Sequence, residues 1–181
     1  TVDVMRAVVF NKGIKENAGI FNHTQGWGII AETMLGNGDR AYEYCKAALP
    51  AAYNDKAEIR QAEPYVQCQT TYSVYSPRPG NARVSWLSGA AAWSYYSLTQ
   101  YLLGIRPVYE GLMIDPCIPS TWDGFEAERE FRGCTVKIKV ENPKHLCKGV
   151  KSLTINGKTV DGNIIFADNL TKETTVIAVI G

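Results

Sequence analysis

KENAGIFNHTQGW, from Lys15 to Trp27, contains one of only two histidines in 181 residues. His23 stands at the N-terminal edge of an apolar-periodic segment, Thr24 to Leu35, that predicts a helix. Unpaired N–H groups and the helix dipole favour an anion at such an edge, and an imidazole adds a donor that can carry charge near neutral pH. Position alone leaves His23 as either an anion ligand or a cap that hydrogen-bonds a carbonyl. Ser88-Gly89, in WLSGAAAW, places a hydroxyl and a glycine at another predicted helix start. There, glycine lets a ligand approach the backbone closely, although a plain serine N-cap has the same form. Together with His23, these two helix starts would make a phosphate cradle if they converge. Glu16 and Gln69 are the sugar-facing candidates, because a carboxylate and an amide each offer paired hydrogen bonds to vicinal hydroxyls. Taken singly, each suits a surface position better. Asp55, Glu58 and Glu63 cluster around IRQAEPY without a pairing that would raise a carboxyl pKa, and they read as structural. Trp27, Trp86 and Trp93 read as core at helical spacing, and His145 as a surface residue in a turn.

The elements that must hold these residues come in two kinds. Thr24–Leu35 and a second helix over 40–49, with Asp39 as N-cap and Pro50 as its stop, form a helical hairpin around the turn GNGD. A third helix, SGAAAWSYYSLTQYLLG, ends at Gly104. Residues 51–82 are irregular and rich in Tyr, Gln, Thr and Pro, too long a stretch for a passive connector. Beyond Arg106 the period changes. Segments 112–114, 135–140, 151–155, 163–166 and 174–180 read as short strands, and TVKIKV alternates like a half-buried antiparallel strand. Asn156-Gly157 between TI and KTV predicts a hairpin. The expected class is therefore α+β, with helices over 1–105 and an antiparallel β domain over 106–181.

Composition excludes several classes. A net charge of +1 without a basic block gives no footprint for nucleic acid or an anionic membrane. No apolar run approaches the roughly eighteen residues of a membrane span. The five cysteines are spread without zinc spacing and read as free, mostly buried thiols in a reducing cytosol, so no metal or organic cofactor is expected. The two sequons, at Asn22 and Asn169, carry no weight without secretion. A first residue of Thr1 suggests processing or a piece of something longer.

In order along the chain, KENAGIFNHTQGW, PAAYND, IRQAEPY, QCQTTY, SPRPG, VSWLSG, LLGIRP and GLMIDPCIPSTWDGF resemble the C-terminal portion of inverting disaccharide phosphorylases. This is the cellobiose and chitobiose phosphorylase family, glycoside hydrolase family 94. The resemblance is dense from Gly13 to Phe125 and looser beyond, and FNHTQGW leans towards cellobiose. It implies that 1–105 are the last helices of an (α/α)6 barrel and that 106–181 form a jelly-roll-like β-sandwich. It also implies cleavage of a β-linked disaccharide by inorganic phosphate, as co-substrate, to an inverted sugar 1-phosphate. On the family's motifs, His23, Ser88 and Gly89 bind phosphate, Ser88 keeping the hydroxyl of the commoner threonine, while Glu16 and Gln69 contact sugar. The family's general acid is an aspartate upstream of this region, with no equivalent here. The chain is thus expected to be an inactive fragment whose partners are disaccharide, phosphate and the remainder of the same polypeptide, cytoplasmic and homodimeric when complete. A carbohydrate-binding module built on the β domain would need exposed aromatics on its strands, where Phe166 is nearly alone. A helical interaction domain would leave the polar cluster at Glu16–His23 unexplained.

Overall fold

The fold comes from a computed structural model that describes residues 5–86 and 88–181; Leu87, within the WLSG motif, lies outside them. Two compact units emerge: residues up to Gly28 with Tyr44–Tyr96, and Ile29–Glu43 with Ser97–Gly181. This division differs from the change of period near Arg106, because residues 29–43 and 97–104 group with the strands.

The first unit is organised by a small sheet that the sequence does not announce. After α1 (Met5–Val9), β1 (Ile20–Phe21) leads into α2 (His23–Met34). Next come α3 (Gly38–Ala48), a 3-10 turn over Pro50–Lys56, α4 (Ala57–Arg60), β2 (Cys68–Thr71), β3 (Ala82–Ser85) and α5 (Ala90–Ser97). β2 lies between β1 and β3 and is antiparallel to both. Strands of two to four residues with polar Gln and Thr are too short to display a period, so the stretch read as irregular in fact supplies β2. Asp39 is not the N-cap expected of it. It lies in the first turn of α3, and its carboxylate accepts from the backbone N–H of Ser120 at 2.7 Å and from its hydroxyl at 3.0 Å, both within the second unit.

The tryptophans depart further from expectation. Trp27, Trp86 and Trp93 are 50, 69 and 36% exposed rather than core. For Trp93 the reason is visible in AAAWSYYS, the sequence of α5, which is apolar around most of its circumference, so its period selects no inward face, while Trp86 lies on no helix at all.

In the second unit α5 continues as a π-turn over Leu98–Leu102 and stops at Gly104, whose φ of +66° a side chain would resist. The strands are β4 (Ile105–Pro107), β5 (Gly111–Ile114), β6 (Gly124–Phe131), β7 (Cys134–Glu141), β8 (Val150–Ile155), β9 (Lys158–Val160), β10 (Ile164–Phe166) and β11 (Glu173–Ile180). They form a sheet in the order β10-β5-β4 and another in the order β6-β7-β11-β8-β9. One core joins both sheets, with Leu112, Ile114 and Ile165 from the first and Val136, Leu153 and Val176 from the second. TVKIKV alternates as expected, with Val136, Ile138 and Val140 buried and Lys137 and Lys139 exposed. The Asn156-Gly157 hairpin joins β8 to β9, both turn residues having positive φ (48° and 80°).

The expectation of a wholly antiparallel domain requires correction: β11 runs parallel to β7. Thirty-one intervening residues, 142–172, give room for the return that a parallel pair needs. The result is α+β with mixed sheets, and the helices close no barrel among the described residues.

Candidate functional site

Because β1 and β3 are both antiparallel to β2, they run parallel to each other and leave the sheet at the same end, where β2 begins. Each then hands over to a helix, β1 to α2 and β3 to α5. The two helix starts singled out by sequence therefore emerge side by side. Neither helix has an acidic residue in its first turn, which leaves both positive dipole ends uncompensated.

Asn22 pins the first of these starts. Its N–H donates to the Gln69 carbonyl at 2.9 Å, and its side-chain amide donates to the Cys68 carbonyl at 3.0 Å. His23 opens α2, one residue earlier than the period suggested, and Thr24 turns its hydroxyl back to the Phe21 carbonyl at 2.7 Å. The half-buried imidazole is met edge-on by Phe21 (centroids 5.7 Å) and Trp27 (5.5 Å). Trp27 in turn meets Trp93 of α5 edge-on at 5.7 Å.

The chain reaches the second start through Val84 (φ 55°) and Trp86 (φ 68°), left-handed conformations that cost about 1–3 kcal/mol each and persist only where the surroundings impose them. The Trp86 indole N–H donates to Glu63 at 2.9 Å. Hydrogen bonding from Glu63's own backbone, and then from Trp86, holds that carboxyl below its ordinary range, in keeping with a structural role. Ser88 caps α5: its Oγ accepts from the Ala90 N–H at 3.1 Å, which leaves the O–H to donate elsewhere. Gly89 is exposed, and a Cβ placed on it would lie 3.7 Å from Trp93 Cδ1.

His23, Gln69, Ser88 and Gly89 thus share one neighbourhood. Gln69 is half-buried with its Oε1 shielded from water and without a partner, an acceptor awaiting a donor. Glu16 stands apart. It is exposed on a tight turn, Gly13 to Gly19, whose Gly13 carbonyl accepts from the Ser73 N–H at 3.0 Å, and among the described residues it carries no ion pair.

A cavity of about 510 Å³ in the same unit is lined by Asn22, Gln25, Tyr44, Arg60, Gln67 and Tyr72 among others, and by none of the five candidates. Sequence reasoning assigned nothing to Arg60. Its guanidinium donates to the carbonyls of Ala62 (3.2 Å), Glu63 (2.6 Å) and Val66, which makes it a clamp on the IRQAEPY loop. No Arg-to-carbonyl pattern could have been read from spacing alone. His145, in the other unit, is exposed as expected, with Nδ1 3.0 Å from the Ser120 carbonyl. All five cysteines are free. No group of three or more His, Cys, Asp or Glu suited to a metal occurs among the described residues. No helix among them is long and apolar enough to cross a membrane.

The sequence matches the family model described as the glycosyl hydrolase 94 superfamily, catalytic domain, over residues 1–104. It is 46% identical over 153 residues to the N,N'-diacetylchitobiose phosphorylase of Vibrio proteolyticus, covering 84% of this chain and 19% of that protein. With the enzyme of the same name from Vibrio furnissii it shares 42% identity, over 94% of this chain and 21% of the relative. Against the solabiose phosphorylase of Paenibacillus borealis the identity is 33%, over 92% and 22%. The chain therefore spans about a fifth of the length of these relatives.

Proposed function

The chain belongs to the glycosyl hydrolase 94 superfamily, and from that premise we propose that it is the phosphate-holding part of an inverting disaccharide phosphorylase. Two helix starts leaving one end of one sheet, tied together through His23, Trp27 and Trp93, are the observation that carries this reading. The His23 imidazole, the Ser88 hydroxyl and the Gly89 N–H would hold phosphate, helped by two uncompensated helix dipoles. The half-buried Gln69 side-chain amide would contact the sugar that is transferred, and Glu16 would reach the sugar from its exposed turn.

In the reaction a phosphate oxygen attacks the anomeric carbon from the face opposite the glycosidic bond. The C–O bond to the leaving sugar breaks, and a general acid supplies the proton that the leaving oxygen needs. An inverting hydrolase needs a second carboxylate to activate water, whereas phosphate is already a nucleophile. The proton donor is the aspartate that the family resemblance puts upstream of this region, in the remainder of the polypeptide. On the same resemblance, α2, α3 and α5 would complete an (α/α)6 barrel, and the strands after Ile105 would form its jelly-roll-like companion.

For the disaccharide, the relatives above 40% identity favour diacetylchitobiose, whereas the FNHTQGW pattern favours cellobiose as the second reading. Incubating the complete polypeptide with each disaccharide and phosphate, and following the anomeric proton by NMR, tests both. The expected product is an α-sugar 1-phosphate formed only when phosphate is present. Release of free sugars at the same rate without phosphate would overturn the proposal.

A further inference from the structure

We propose that Trp27 and Trp93 are positioning residues that set the spacing between His23 and the Ser88-Gly89 helix start; this rests on the phosphate reading above. Burial does not account for the pair, since both indoles remain partly open to solvent. Their contacts do. Trp27 and Phe21 both meet the imidazole edge-on, at 5.5 and 5.7 Å, and these two contacts limit rotation of the His23 ring about its own side-chain bonds. Trp93 is fixed at the far end. Its backbone N–H donates to the Gly89 carbonyl at 3.0 Å in the first turn of α5, and its indole Cδ1 would stand 3.7 Å from a Cβ built on Gly89. The spacing of the helices is equally tight, because a Cβ built on Gly26 would stand 3.0 Å from the Trp93 carbonyl oxygen. A rigid bridge of two indoles therefore runs from the imidazole to the other helix start.

Donors to phosphate work over a narrow range, near 2.7–2.9 Å for a charged acceptor, so a bridge that fixes their separation acts directly on affinity for the anion. Leucine fills part of the volume of an indole but cannot present a flat edge to both neighbours, whereas phenylalanine can.

The test uses the complete polypeptide, with inorganic phosphate and the disaccharide varied separately. Trp27→Leu should raise KM for phosphate roughly tenfold while KM for the disaccharide stays within about twofold, and Trp27→Phe should recover most of the loss. Trp93→Leu should show the same split. Because Trp27 acts through His23, Trp27→Leu should add almost nothing in a His23→Ala background. Equal rises in both KM values, fully additive losses, or a phenylalanine variant as damaged as the leucine one would reduce the pair to ordinary packing and overturn the inference. A silent Trp27→Leu beside a sensitive His23→Ala overturns it alone. A silent His23→Ala removes the phosphate reading as well.

Discussion

Large apolar side chains serve opposite ends in the two units. In the strand-rich unit Leu112, Ile114, Leu153 and Ile165 are fully buried in a core assembled from both sheets. In the other unit Trp27, Tyr65, Tyr75 and Trp86 are each at least half exposed, and the shielded polar atoms Gln69 Oε1, Thr70 Oγ1 and Asn81 Oδ1 lack partners among the described residues. Native proteins rarely leave such polar atoms orphaned without a reason. The strand-rich unit exposes Met34, Leu35 and Tyr109 as well, so the contrast lies in its two-sheet core and in the partnerless polar atoms of the other unit.

The sharpest break of that comparison would be catalysis by this chain alone. We expect none: purified as 181 residues and given phosphate with diacetylchitobiose or cellobiose, it should form no sugar 1-phosphate. On the proposed reading the proton donor lies outside these residues, and lacking a general acid costs about 10²- to 10⁴-fold, with further loss from lacking the groups that position the substrate. Measurable turnover would mean that the site is complete here.

Stability should follow the same division. Leu153→Ala, which opens a hole in the shared core, should cost about 2–5 kcal/mol in denaturant unfolding, while Tyr65→Ala on the other unit should cost about 0.5 kcal/mol. Equal losses would erase the distinction. Ligand dependence should run the other way. In the complete polypeptide His23→Ala should weaken phosphate use by about 1.5–3 kcal/mol, roughly ten- to a hundredfold, with little change for the disaccharide. Steady-state kinetics with each substrate varied in turn reads this directly.

A smaller effect marks the strand-rich unit. Burial pushes the Cys117 thiol up to about 11 from an ordinary 9.0. With the folded value raised, the stabilisation is complete below pH 9 and is lost as pH climbs through 11, by at most on the order of 3 kcal/mol. Cys117→Val should flatten that alkaline decline relative to the parent, whatever its effect on stability at neutral pH.

Much of this was legible in sequence because the β region obeys local rules. Alternation in TVKIKV, the Asn156-Gly157 turn and the stop at Gly104 are each decided within a few residues. Longer-range choices were not legible. The parallel partnership of β7 and β11 joins residues some forty apart, and the sheet that aligns the two helix starts has strands too short to leave a period. His23, Ser88, Gly89 and Gln69 could be chosen by chemical type, yet their shared neighbourhood depends on that unannounced sheet. Trp27 and Trp93 misled because apolar spacing reports a helix and not which of its faces is covered, and Trp86 because it lies on no helix.

The central place of β11 has a consequence for synthesis. The β6–β7 and β8–β9 hairpins leave the ribosome first, and each presents a bare edge until Glu173–Ile180 arrives to lie between β7 and β8. At about 5–20 residues per second that interval lasts a second or more, during which two unpaired edges of one nascent chain could seize each other or a neighbouring chain. Lys137 and Lys139, alternating with the buried residues of β7, place charge along one of those edges throughout the wait.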